Sequence, residues 1–350
     1  MTTNSHSFSS GASRRLLLSV ALIVLALGGG IAARPGSSAG ARSISGAHAY
    51  GWPVKPFDQP HPVRGSFGDP RTIFSGPPTQ RTLLSGTGQF TFHTGVDISA
   101  PDGTAVYPVE SGTVHATTAE WVSVDCGGGV AFKYWHVTPA VSAGQHVEAD
   151  STVLGHIIRG TNHVHLTEYS NGVEVNPLAP GHLGPYTDST KPTVGSIEFR
   201  TSVVGDELMP EFLRGRIVIA ANAYDMPTMR VPGVWHDLPV TPALVEWRIQ
   251  RADTGKVVVP TRVAYDVRQH LPAPGAFWNV YARGTHQNMS VFGKHYSYMQ
   301  PGVYRFLLTP AGFDTRTVPN GVYELVVTAT DIRGNHGALA QRFSVENGGL

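Results

Sequence analysis

The stretch FHTGVDISAPDGTAVYPVESGTV, residues 92–114, indicates the fold more clearly than any other part of the chain. It mixes valine, isoleucine and threonine with glycine and proline, which is typical of short strands joined by tight turns. Residues 104–109 and 112–115 are predicted strands. No amphipathic helix of useful length is found in this region. The stretch therefore predicts compact antiparallel β-structure.

The same pattern continues on both sides of this stretch. Residues 130–137 alternate strongly between apolar and polar side chains, and residues 140–147 and 152–157 repeat the pattern of valines separated by glycine turns. Further predicted strands occupy residues 216–225, 245–249, 321–331 and 341–345. We therefore predict an all-β protein.

Composition divides the chain into three parts. Residues 1–49 form a leader and a linker, residues 51–186 are rich in glycine and histidine, and residues 192–347 form a second β-region. Lys191-Pro192-Thr193 marks the joint, because proline disfavours helix before it. The second region is typical of an immunoglobulin-like β-sandwich with an insertion at about 268–312. The aromatic residues of that insertion either pack against the first region, which we favour, or bind glycan by stacking.

Charge and cysteine content exclude several classes of protein. The net charge is only +1 and both signs are mixed along the chain, so we expect no nucleic-acid partner. The single cysteine, Cys126, excludes stabilisation by internal disulfides. The sequence does not indicate an oligomeric state.

The N-terminus predicts export. Two arginines, Arg14 and Arg15, precede an uncharged apolar run at residues 16–33. The run is close to the length of a membrane span, so it serves either as a cleaved signal or as a membrane anchor. We expect the remainder of the chain to work outside the cytoplasm, either secreted or held in the cell envelope.

Three histidine-bearing segments suggest a metal site. They contain His93 and Asp97, then His136, then His163 and His165. Histidine and aspartate are zinc ligands, and a catalytic zinc usually has three protein ligands. Residues two apart in a strand face the same side, so His163 and His165 point into one space. The chain has 16 histidines, and a lone histidine is more often structural than ligating, so only the joint pattern is informative.

These segments resemble the motifs of the lysostaphin-type, LytM-like zinc endopeptidases. FHTGVDISAPDGT is similar to the family's His-x-Gly-x-Asp motif, KYWHV to its aromatic-x-His motif, and NHVHLTEYSNGVEVNP to its closing His-x-His segment. The motif order is also that of the family, and the resemblance covers residues 60–180.

The resemblance implies a fold, a cofactor and roles for five residues. The implied fold is an antiparallel β-sandwich of the duplicated hybrid motif type. One Zn²⁺ per chain would be bound by His93, Asp97 and His165, and His136 and His163 would be the catalytic pair. The implied activity is hydrolysis of peptide bonds in bacterial peptidoglycan by a zinc-activated water. Which of the two histidines is the general base stays open.

Departures from the family pattern leave two alternatives. The loop before the closing motif is short, Thr167 replaces a common glutamate with Glu168 one position later, and residues 114–130 are unusual. A catalytically inactive scaffold that binds the wall or activates another hydrolase is the first alternative. An envelope metal store or sensor, which would not need His136, is the second.

Overall fold

The structure, a computed structural model, describes residues 50–74, 84–290 and 299–348. They belong to one compact unit, Ser45–Leu350. The predicted leader and the apolar run at 16–33 lie outside the described residues. Within those residues, no helix has the length and apolarity needed to cross a membrane.

The described chain is built almost entirely from strands. They are β1 (Val63–Gly65), β2 (Pro70–Phe74), β3 (Gly88–Phe92), β4 (Val96–Ser99), β5 (Ala105–Val106), β6 (Gly112–Thr117), β7 (Trp121–Gly127), β8 (Val130–Trp135), β9 (Val137–Pro139), β10 (His146–Val147), β11 (Gly155–Ile157), β12 (His163–Ser170), β13 (Val173–Val175), β14 (Thr193–Arg200), β15 (Arg216–Tyr224), β16 (Leu244–Arg251), β17 (Val257–Asp266), β18 (Met289–Ser290), β19 (Met299–Gln300), β20 (Arg305–Leu307), β21 (Phe313–Asp314), β22 (Gly321–Thr330) and β23 (His336–Val345). The prediction of an all-β fold is confirmed.

Short helical turns join some of these strands. A single α-helical turn occupies Phe277–Val280, and 3₁₀ turns occupy Pro210–Phe212, Gly233–Trp235, Pro274–Ala276 and Thr315–Thr317.

One large antiparallel sheet bears most of the histidine motifs. Its strand order is β1-β4-β12-β8-β7-β6-β10, with β13 paired to β12. Strand β12 lies between β4 and β8, and its register sets His165 opposite both Asp97 and Trp135. The intervening residues Val164 and Leu166 are fully buried in the core. Alternation along β12 therefore directs His163 and His165 to the other face together.

Two smaller assemblies complete the N-terminal half. Strands β5, β11 and β9 form a three-stranded sheet, and β2 and β3 form a hairpin-like pair. The predicted strand at 140–147 is reduced to β10, whereas the unusual stretch 114–130 contains strand β7. Strand β3 ends at Phe92, and His93 follows directly, where its ring contacts Asp97 of β4 and His165 of β12.

The C-terminal half contains two further four-stranded sheets and the two-stranded pair β18–β19. One contains β14, β15 and β20, with β21 also paired to β15, and the other has the order β17-β16-β22-β23. The long pairs β16–β22 and β22–β23 are antiparallel throughout. The β-character predicted for this half is confirmed, and its immunoglobulin-like topology stays a prediction, as do the domain limits.

Aromatic residues of the predicted insertion pack on strand β3. The ring of Phe90 lies 4.7 Å from Trp278, and the ring of Phe92 lies 5.5 Å from Phe277 and 5.8 Å from Tyr281. Part of the insertion, residues 291–298, lies outside the described residues. For the rings that are described, packing against the first region is confirmed.

Candidate metal and catalytic site

A cavity of about 490 Å³ opens beside strands β4 and β12. The N-terminal half lines it with all five residues that the motifs single out: His93, Asp97, His136, His163 and His165. The C-terminal half supplies the opposite wall, which consists of Trp235, Gln287, Asn288 and Tyr304. Residues far apart in the chain thus build one site.

Three side chains converge at the base of this cavity. Nε2 of His93 lies 2.7 Å from Nδ1 of His165 and 3.0 Å from Oδ1 of Asp97. Nδ1 of His165 lies 3.1 Å from the same Asp97 oxygen. One ligand atom from each of the three residues therefore falls within 4.8 Å of the others, which is the spacing of ligands around one metal ion.

Neighbouring groups fix which nitrogen of each imidazole faces the cavity. Nδ1 of His93 donates to the carbonyl oxygen of Ser66 at 2.8 Å, so Nε2 of the neutral ring is bare, that is, it carries no proton and presents a lone pair. Nε2 of His165 lies 2.8 Å from Oγ1 of Thr167, which can accept its proton and leave Nδ1 bare. Burial lowers the pKa of His93 to about 3, which keeps this ring neutral.

The loop that carries Ser66 is held by the C-terminal half. Asp69 accepts hydrogen bonds from the backbone nitrogen and hydroxyl of Thr241, at 2.9 and 2.6 Å. The hydroxyl of Tyr281 donates to the carbonyl oxygen of Gly68 at 2.8 Å. The carbonyl oxygen of Asp69 accepts from the backbone nitrogen of His93 at 2.8 Å. These contacts hold the Ser66 carbonyl beside the His93 ring.

Asp97 is held as a carboxylate. Burial opposes its ionisation, yet the adjacent Arg71 guanidinium favours the charged form, and the pKa of Asp97 lies well below its ordinary value. Nη2 of Arg71 lies 2.6 Å from Oδ2 of Asp97, on the side away from the histidine nitrogens. Gly65 leaves room for this pair, because a Cβ there would lie 2.7 Å from Oδ2.

The donor set of this cluster fits a divalent metal. Two bare imidazole nitrogens and one carboxylate oxygen approach within hydrogen-bonding distance of each other. With the protons of both rings directed to Ser66 and Thr167, the three lone pairs repel one another unless a cation lies between them. Two histidines with one carboxylate are a preferred zinc ligand set.

His136 and His163 lie beside this cluster as a pair. Their ring centroids are 4.4 Å apart, and Nε2 of His163 is 3.6 Å from Oδ1 of Asp97. His136 has a φ of 64°, a left-handed conformation that is rare outside glycine and turns its side chain out of the line of β8. Burial lowers the pKa of both rings, that of His163 to about 3. Both are therefore neutral and able to accept a proton.

Two neighbours of His163 select opposite tautomers. Nδ1 lies 2.7 Å from the carbonyl oxygen of Thr161, which accepts a proton, and 2.7 Å from Nη2 of Arg64, which donates one. If Nδ1 donates its proton to Thr161, Nε2 carries no proton. If Nδ1 accepts a proton from Arg64, Nε2 is protonated. The guanidinium of Arg64 is stacked on the ring of Trp235, 4.1 Å from its centroid, so the C-terminal half orients this donor.

Sequence reasoning missed the arginines and the C-terminal wall. Arg64 and Arg71 belong to no metal motif, and Trp235 approaches them only through the fold. The need for glycine at position 95 was also missed. A Cβ on Gly95 would lie 2.1 Å from the carbonyl oxygen of Leu166, so glycine is needed there for the close approach of β12.

Comparison with known proteins identifies the histidine-bearing region. Residues 91–177 match the sequence profile described as Peptidase family M23, and this span contains all five motif residues. The resemblance noted in the sequence is thereby confirmed.

Solved structures also resemble parts of the chain. A zinc-containing peptidase from Vibrio cholerae is 19% identical over 37% of this chain and 39% of that chain, with a TM-score of 0.28. The catalytic domain of a mutant of the prophage-encoded M23 protein EnpA from Enterococcus faecalis is 23% identical over 33% and 92%, with a TM-score of 0.24. A chain of the SpoIIQ–SpoIIIAH pore-forming complex is 19% identical over 38% and 90%, with a TM-score of 0.29. At these TM-scores the matches carry no functional information.

Proposed function

Residues 91–177 are an M23 peptidase region, and from this premise we propose that the protein is an exported zinc-dependent metalloendopeptidase that hydrolyses peptide bonds of bacterial peptidoglycan. One observation carries the proposal: three bare ligand atoms converge in a cavity that also holds a pair of neutral histidines. A metal store would need the first group but has no use for the second.

The ligands of the proposed zinc are His93, Asp97 and His165. Zinc bound there would polarise the scissile carbonyl and lower the pKa of a bound water toward about 7. The protein contributes the arrangement around it. The Ser66 carbonyl, the Thr167 hydroxyl and the Arg71 guanidinium each engage the atom of a ligand that faces away from the cluster. Such outer contacts orient the ligands before metal and substrate arrive.

His136 and His163 are the proton carriers in this proposal. A neutral imidazole accepts the proton of the attacking water, and the resulting imidazolium donates it to the departing amine nitrogen. Burial lowers the pKa of His163, while the charge of Asp97 raises it and the charge of Arg64 lowers it by a smaller contribution. In the tautomer whose Nδ1 donates to Thr161, Nε2 of His163 is the acceptor.

Peptidoglycan as substrate and export as route rest on the family and the leader. Members of peptidase family M23 act on peptides, and the positive-then-apolar order of residues 1–33 is that of an export signal. Fractionation of cells that produce the protein, followed by N-terminal sequencing, tests export. An intact N-terminus in the cytosol would contradict it.

Digestion of purified peptidoglycan tests the activity. The purified chain is incubated with several wall types, with and without a chelator, and new peptide ends are read by mass spectrometry. The His163→Ala variant runs beside it, and His146→Ala serves as the matched control because that histidine is exposed and, among the described residues, its side chain is hydrogen-bonded to Glu148 alone. We expect cleavage that needs metal and His163 but not His146.

Two results would overturn this proposal. Cleavage that persists in chelator would exclude the zinc mechanism. Bound zinc without cleavage of any wall type would favour the inactive scaffold that binds the wall or activates another hydrolase.

A further inference from the structure

Two arginines line the cavity, and the mechanism described above gives neither of them a contact with the substrate. Arg64 lies on β1 and Arg71 on β2, and both face the same space as the five motif residues. Burial, with a smaller contribution from the charge of Arg71, lowers the pKa of Arg64 to about 10, so the Arg64 guanidinium stays charged at neutral pH.

The anionic groups of the cavity are already engaged. Oδ1 and Oδ2 of Asp97 contact the histidines and Arg71, and the carboxylate of Asp69 accepts hydrogen bonds from Ser66 and Thr241. The lining holds two arginines and two aspartates, so their charges cancel. A divalent ion in the histidine cluster then leaves the cavity with a net charge of about +2. Such a site attracts an anionic group of the substrate.

Arg71 has donors left for such a group. Among the described residues its guanidinium makes one hydrogen bond, from Nη2 to Asp97, while arginine carries five N–H donors in a planar fork. Its side chain is 30% exposed, so the remaining donors are within reach of a ligand in the cavity. The contact with Asp97 and the space above Gly65 fix the position of the fork.

The position of the Arg64 side chain is also fixed by its neighbours. Its guanidinium is stacked on Trp235 and bound to His163, and its Nε is buried without a hydrogen-bond partner among the described residues. Leaving a charged donor unsatisfied is costly, which favours an anion close by. The remaining polar groups of the wall are less available, because the side chain of Asn288 and the hydroxyl of Tyr304 are both bonded to the carbonyl of Pro239.

We propose that Arg71, together with Arg64, binds a carboxylate of the peptide substrate beside the His93–Asp97–His165 cluster. This inference rests on the proposed function, and it specifies the substrate as a peptide with a free carboxylate near the scissile bond. That carboxylate is either the C-terminus of the peptide or an uncapped carboxylate of an internal acidic residue. Arginine suits both, since its fork binds a carboxylate through two parallel hydrogen bonds.

A set of three substrates tests the proposal on the unaltered protein. A synthetic cross-linked stem peptide is prepared with all carboxylates free, with only the C-terminal carboxylate amidated, and with only the internal carboxylates amidated. We expect one amidation to lower kcat/KM by about 10- to 100-fold, mainly through KM. The amidation that does so identifies the source of the carboxylate. Equal kcat/KM for all three forms would overturn the inference and leave the proposed function intact.

The Arg71→Gln variant connects this preference to the arginine. We expect it to cleave the free and the amidated forms at equal kcat/KM. The ratio between substrates is measured within each variant, so a loss of metal lowers both rates and leaves the ratio unchanged. Arg214→Gln is the matched control, because Arg214 is exposed and makes no hydrogen bond within the described chain. Retention of the full preference by Arg71→Gln would overturn the assignment.

Calorimetric titration of the same three peptides needs no turnover. We expect the free form to bind about 10-fold or more tightly than the amidated form, and Arg71→Gln to remove the difference. If no peptide is cleaved but this difference is present, the carboxylate site stands and the proposed hydrolysis falls. Equal binding of all forms would overturn the carboxylate site.

Discussion

Two clusters of titratable side chains in this protein bring three ligand atoms within 4.8 Å, and they differ in composition. His93, Asp97 and His165 form the first, and Asp188, Asp225 and Asp331 form the second. The first combines one carboxylate with two imidazoles and is paired with Arg71. The second consists of carboxylates alone, whose hydrogen bonds come from backbone amides, hydroxyls and Asn335.

The two clusters differ in the pKa, and hence the protonation, of their carboxyl groups. In the first, contact with the charged Arg71 favours the carboxylate form, and the pKa of Asp97 lies well below its ordinary value despite burial. In the second, burial and the charges of Asp188 and Asp331 raise the pKa of Asp225 to about 8. The first cluster stays ionised and presents bare lone pairs, whereas the second takes up a proton. Proximity of ligand atoms alone does not make two clusters chemically equivalent.

The largest expected effect comes from removing a ligand of the histidine cluster. His165→Ala should lose bound zinc and lower peptidoglycan cleavage by about 10³-fold or more, because both the metal and its polarising charge are lost. Metal analysis and digestion measure the two effects. Asp331→Asn, in the acidic cluster, is the control and should retain both. A similar loss in the control would mean that the two clusters act as one site.

The next effect separates metal binding from proton transfer. His136→Asn should keep its zinc and lose about 10²- to 10⁴-fold in kcat, since the ring contacts His163 and not the ligand cluster. Asparagine tolerates the left-handed backbone at this position, so the fold should survive. Full kcat in this variant would exclude His136 as a proton carrier.

A smaller effect tests the outer contact of His165. Thr167→Val removes the hydroxyl 2.8 Å from Nε2 and should weaken zinc binding by about 10- to 100-fold. Thr167→Ser keeps the hydroxyl and should bind zinc as the parent does. Competition with a chromogenic chelator measures both affinities. Equal affinities for the valine and serine variants would show that the hydroxyl does not set the tautomer.

The acidic cluster should affect stability and not activity. The pKa of Asp225 is about 8 in the folded state and its ordinary value is 3.8, so the folded state keeps a proton that the unfolded state releases as the pH rises between these values. Stability therefore falls across that window. Asp225→Asn should abolish this loss and gain on the order of 2 kcal/mol at pH 8, with little gain at pH 4. Thermal unfolding at both pH values measures the difference, and an equal gain at both would contradict the raised pKa.

The sequence predicted the histidine cluster because its residues occur in short local motifs. Alternation alone places His163 and His165 on one face of β12, and the register with β4 then brings Asp97 opposite His165. The long strands β15, β16 and β22 were predicted for the same reason, since their alternation is strong. Local patterns of this kind require no knowledge of the tertiary fold.

Features created by distant contacts were not predictable. Asp188, Asp225 and Asp331 lie in separate segments, and no period connects them. Trp235 lies on a 3₁₀ turn of the C-terminal half and contacts Arg64 only in the folded chain. The left-handed backbone conformation of His136 was not predictable either, because no local sequence pattern requires it. The five motif residues were thus found, and the wall that surrounds them was not.

The loop from Ser66 to Asp69 limits how this protein can be divided into fragments. It holds the His93 ring on one side and is held by Thr241 and Tyr281 on the other. A fragment that ended near residue 186 would keep every motif residue but lose both anchors of that loop. Recombination that moved the motif-bearing segment into another protein would meet the same obstacle. Gene fusions and shuffled variants should therefore keep the N-terminal and C-terminal halves together.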